Sequence, residues 1–162
     1  MYADISVNTA SLMALFENPI FLSPLSSLFI AQILKGIIYA FSSRKKKSRE
    51  LLEIVSWRTG GMPSSHSAVV CSLCTAVAFK EGIASNLFIF SVWFAMVVLR
   101  DAMGVRRSAG HVAKALNNLG RQTAEKTGID FNSVKEIQGH TPLEVIVGSF
   151  LGIFIAAGLH LL

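Results

Sequence analysis

Charge is scarce in this chain. Only 15% of its 162 residues are Asp, Glu, Lys or Arg, where average globular proteins carry about 25%. A water-soluble surface needs roughly that share, so an ordinary soluble domain is excluded. Cysteine is scarce too, at two residues, far below the roughly 8–10% of a disulfide-stapled secreted scaffold. What is abundant is apolar: 52% of the residues are hydrophobic, with mean hydropathy +0.53. That load excludes disorder, which needs few apolar residues, and points to a bilayer. The length fits one unit, residues 1–162 as a single integral membrane domain.

The remaining charge is basic, 15 Lys plus Arg against 10 Asp plus Glu. In a membrane chain such an excess records topology, because Lys and Arg are retained on the cytoplasmic side. Four apolar stretches are long enough, or nearly so, to cross. They run over about 19–41, 64–79, 83–99 and 143–162. Lys80, Glu81 and Gly82 form a polar turn between the second and third, which read as a helical hairpin. The opening residues 1–18 lack a basic n-region, so no cleaved signal peptide is expected. The expected fold is all-α: a polytopic membrane helix bundle of about four transmembrane helices.

The segments at about 42–63 and 100–142 hold 13 of the 15 basic residues. The positive-inside rule places both in the cytoplasm and both termini on the opposite side. Within the second segment Val105, Ala109, Val112, Ala113, Leu116 and Leu119 recur at helical spacing, which adds an interfacial amphipathic helix.

Three places at this one face carry chemistry. The string Arg58-Thr-Gly-Gly-Met-Pro-Ser-Ser-His66 reads as a glycine-rich turn feeding a helix, with Pro63 in its first turn. Free N–H groups there, the hydroxyls of Ser64 and Ser65, and Arg58 suit an anion. The bland alternative is a serine-rich cap with an interfacial His66. In Gly139-His-Thr-Pro-Leu-Glu144, Thr141 and Glu144 fit a capping box, with Pro142 at the first helical position. His140 could instead be a nucleophile, with Glu144 orienting its ring. Arg100, Arg106 and Arg107 close the third stretch and suit bidentate phosphate binding or plain anchoring, with Asp101 as a neutralising partner. Lys35, inside the first stretch, either faces the site or snorkels to the headgroups.

These residues resemble the type 2 phosphatidic acid phosphatase and vanadium haloperoxidase superfamily, and more closely its divergent membrane branch. Pro63-Ser64-Ser65-His66 looks like the superfamily's Pro-Ser-Gly-His, with Ser for Gly. His140 and Glu144 keep the spacing of its His and Asp, with Glu for Asp. The departures are specific. Val134 stands where the superfamily has an Arg six residues before the His, and Leu51 and Thr59 stand in place of its first-motif Lys and Pro. The resemblance implies a phosphatase that uses a phosphohistidine: His140 as nucleophile, His66 as acid and then base, and Arg58, Ser64, Ser65, Arg100, Arg106, Arg107 and Lys35 as candidate phosphate ligands. A lipid phosphate or pyrophosphate is the substrate expected at a membrane boundary.

No cofactor or metal is expected, because no Cys/His/Asp cluster has ligand spacing; Cys71 and Cys74 read as helix packing. Gly148 and Gly152 form a G-x-x-x-G, which serves close helix packing or a homodimer. The rival to the enzyme is a non-catalytic membrane protein that binds a phosphorylated lipid or scaffolds a partner. Nucleic acid is not an expected partner, since no aromatic platform interleaves the basic residues.

Overall fold

The computed structural model describes residues 9–42, 61–136 and 139–161. Its helices are α1 (Thr9–Glu17), α2 (Pro19–Ser42), α3 (Ser65–Glu81), α4 (Asn86–Met103), α5 (Val105–Thr127) and α6 (Pro142–Leu161). No strand occurs among the described residues. Arg58 and the Arg44–Arg49 charge run lie outside them.

Among the described residues, three helical stretches are long and apolar enough to cross a membrane: α2, the run of α4 into α5, and α6. The remaining expected span, α3, has 17 residues and occupies the centre of the bundle, packed by α2, α4 and α6. A central helix can be polar where a lipid-facing one cannot. That explains why α3 carries Ser65, Ser67, Ser72 and Thr75 within its length.

The packing surfaces are small. On α2 the buried face is Ser23, Ser27, Ala31 and Lys35, at a spacing of four. Facing α3, Gly148 and Gly152 of α6 lie against the backbones of Ser64 and Ala68, so close that a Cβ on either glycine would collide with a carbonyl oxygen. Without a hydrophobic driving force between helices in lipid, such backbone approach is what holds them together. The G-x-x-x-G motif is thus used within the chain. Large side chains point outward, as with Trp93 and Phe154 at 64% and 72% exposed.

Local signals set the ends. Asn18 Oδ1 accepts the N–H of Ile20 at 3.1 Å and the Lys80 Nζ at 2.8 Å, starting α2 and tying it to the end of α3. The hairpin turns at Gly82, whose φ of 84° favours glycine. Ser85 then caps α4, its Oγ accepting the Phe88 N–H at 3.1 Å. The turn sits later than the sequence reading placed it. Lys80 and Glu81 belong to α3, and Ile83, where the apolar pattern starts a span, is in the turn and 74% exposed. Pro63 is likewise displaced. It precedes the cap residue Ser64 instead of entering the first turn, and its peptide bond with Met62 is cis.

Candidate functional site

The end of α2, the start of α3, the end of α4 and the start of α6 meet at one pole of the bundle. Helices α3 and α6 run parallel, in register through Ser64 with Gly148 and Ala68 with Gly152. Their N-termini are joined directly, the Ser64 N–H donating to the Glu144 carbonyl at 3.0 Å. Two parallel helix starts bring their positive dipole ends to the same place.

His140 sits just ahead of α6, its backbone N–H donating to the Ala102 carbonyl at 3.1 Å. The capping box forms as expected: Glu144 N–H to Thr141 Oγ1 at 3.4 Å, and Thr141 N–H to Glu144 Oε2 at 3.3 Å. The same Oε2 lies 2.9 Å from His140 Nδ1. The cap and the ring-orienting role are therefore one arrangement. An ionised carboxylate only accepts, so in the neutral ring Nδ1 carries the proton and Nε2 keeps its lone pair. His140 is 3% exposed, and its Nε2 is buried with no hydrogen-bond partner among the described residues.

His66, on the first turn of α3, faces it: the ring centroids are 6.2 Å apart, at 63° between planes. Both rings line a cavity of about 300 Å³, shared with Val97, Val98, Asp101 and Ala102 of α4 and with Arg106 of α5. Arg106 is held there by its Nε–H donating to Asp101 Oδ2 at 2.8 Å. Lys35 comes from the other side. It is buried, its Nζ donates to Ser65 Oγ at 3.3 Å, and it interacts electrostatically with Glu144 and His66. It does not snorkel.

The sequence profile of the divergent PAP2 family matches residues 16–155. This chain belongs to that family. An uncharacterized membrane protein, YuiD, of Bacillus subtilis (strain 168) is 37% identical over 166 residues, covering 88% of this chain and 94% of its own length. No solved structure matches the chain.

This divergent PAP2 protein is a membrane protein, and the residues expected at its site are placed unevenly around the cavity. Ser64 is fully buried and committed to capping α3: its Oγ accepts from the Ser67 N–H at 3.4 Å and the Ser67 hydroxyl at 2.9 Å. It holds the helix start instead of offering its hydroxyl to the cavity. Arg100 and Arg107 are exposed and do not line the cavity, since the helical phase across the break at Gly104 turns only Arg106 inward. Val134, at the superfamily's Arg position, is pinned to α5: its N–H donates to Asn117 Oδ1 and its carbonyl accepts from Asn117 Nδ2, each at 2.9 Å. Sequence reasoning misses Asn117, although the Asn117-Asn118 pair between Leu116 and Leu119 on an amphipathic helix is the available signal. Cys71 and Cys74 line a separate apolar cavity of about 360 Å³ with Phe79, Phe88 and Ile153.

Proposed function

We propose that this protein hydrolyses a lipid phosphate or pyrophosphate through a phosphohistidine on His140. One observation carries the reading: a buried imidazole, fixed at Nδ1 by Glu144 and with no partner for Nε2 among the described residues, belongs to a residue that lines a cavity with His66 and Arg106. A polar atom left so costs free energy unless something else meets it.

In this mechanism His140 Nε2 attacks phosphorus, the P–N bond forms and the P–O bond to the leaving group breaks. His66 gives its proton to the departing oxygen, then takes one from the water that attacks the phosphohistidine and releases phosphate. Arg106, Lys35 with Ser65, and the two helix N-termini stabilise the equatorial oxygens. Arg58, whose position is outside the described residues, is assigned to the same group by the motif. The basic segments at this pole support a cytoplasmic orientation for it.

A second reading has a specific observation behind it. The superfamily's third-motif Arg is Val134 here, held against α5, which favours a site that binds a phosphorylated lipid without turning it over. The deciding experiment is phosphate release by the purified protein from a panel of lipid phosphates and pyrophosphates, with and without EDTA, for wild type, His140→Ala and His66→Ala. Release abolished by both substitutions supports the enzyme. No release from any substrate, with all three proteins folded and binding phospholipid, sinks it in favour of the binding protein.

A further inference from the structure

Helix α5 leaves the bundle. Among the described helices it packs only on α4, which it follows after the single residue Gly104. The 18 residues of α4 span about 27 Å, close to the roughly 30 Å of a bilayer's hydrocarbon core, so α5 starts where the core ends.

Its two long faces are chemically opposed. Val105, Val112, Leu116 and Leu119 form one exposed stripe, with Val112 67% and Leu119 62% accessible. Arg107, Lys114 and Arg121 lie on the opposite face, and Glu125 is the helix's one acidic residue. Standing upright in water, α5 would leave that stripe wet. Lying along the bilayer surface, it continues the lipid-facing surface of Trp93, Met96 and Val97 on α4 and sets its cations among headgroups.

A third face is riveted to the segment that leads to His140. Asn117, 3% exposed, holds Val134 through both backbone atoms and Glu136 through Oε1 at 2.9 Å. Phe131 lies over Gly120, and Gly139 sits directly on the Arg107 backbone.

We infer that α5 is seated on an anionic bilayer surface and, through Asn117 and Arg107, holds the His140 segment against it. The lipid surface is then a structural partner of the site, whether or not the site hydrolyses anything.

The test uses the full chain with Cys71 and Cys74 replaced by Ala, reconstituted in vesicles of phosphatidylcholine with or without phosphatidylglycerol. Single cysteines are introduced as Val112→Cys, Leu116→Cys, Lys114→Cys and Arg121→Cys. With phosphatidylglycerol, positions 112 and 116 react with an impermeant maleimide about tenfold slower than 114 and 121, and the difference shrinks in pure phosphatidylcholine or high salt. Amide exchange over 129–136 follows the same order in the wild-type chain. Asn117→Ala makes that segment exchange fast in every vesicle while position 112 stays protected. Equal rates at all four positions overturn the seating, as does protection that grows with protein-to-lipid ratio, which marks a second copy. Protection indifferent to phosphatidylglycerol overturns the anionic requirement, and slow exchange in Asn117→Ala overturns the coupling.

Discussion

Glu144 Oε2 accepts from two donors at once, the Thr141 backbone N–H at 3.3 Å and the His140 ring nitrogen at 2.9 Å. Glutamine at 144 can keep the first bond with its amide oxygen but has no charge to stabilise an imidazolium. Glu144→Gln should therefore stay folded, within about 1 kcal/mol of wild type, and lose phosphate release by about 10²-fold or more. Thermal unfolding beside a phosphate assay separates the two effects. A variant that is folded and fully active would remove Glu144 from the chemistry.

Arginine selectivity is the next expectation. Arg106→Ala should raise KM for a lipid phosphate about tenfold or more, the scale of one lost hydrogen bond to a charged group. Arg100→Ala and Arg107→Ala should leave KM within about twofold, because neither side chain lines the cavity. Equal effects from all three would mean the basic pole acts as a diffuse field.

Lys35 places a charge inside the bundle beside Ser65. Lys35→Met fills a similar volume without the cation, so inhibition by inorganic phosphate should weaken about tenfold, or 1.4 kcal/mol. Unfolding resistance should hold or rise, because a buried charge is gone. Unchanged inhibition would leave Lys35 a purely structural residue.

On α6, Gly148→Ala and Gly152→Ala should each destabilise by about 1–3 kcal/mol, the cost of overpacking, since the added methyl meets the carbonyls of Ser64 or Ala68. Gly158→Ala is the control. Nothing lies within 4 Å of its Cβ position, and the change should be neutral or stabilising by up to about 1 kcal/mol. Denaturation in mixed detergent micelles measures all three. A stable Gly152→Ala would contradict the close α3–α6 crossing.

The capping box of α6 was legible because Thr141, Pro142 and Glu144 are neighbours in sequence and their geometry is local. The meeting of His66 and His140, 74 positions apart, was legible in outline, because both lie at basic ends of apolar stretches that must share a face. The choice of Arg106 over Arg100 and Arg107 was not. It depends on α4 running on to Met103 and on the phase carried across Gly104, and a shift of one residue turns a helical side chain by about 100°. The hydroxyl of Ser64 is ambiguous in the sequence for a related reason. The same residue type suits a cap and an anion site, and only the true start of α3 decides between them.

A further consequence follows from the size of what is buried. Among the described residues the largest side chain under 2% exposed is Val77, and the others are serines and alanines, while Phe29, Phe90, Phe154 and Trp93 face outward. A saturation scan of this protein should invert the tolerance profile of a soluble domain. Phe29, Phe90, Trp93 and Phe154 should accept exchange among apolar types, while Ser27, Ala31, Ala68 and Gly152 should reject even a single added methyl. Fitness here would track the bulk admitted between backbones, not the grease removed from the interior.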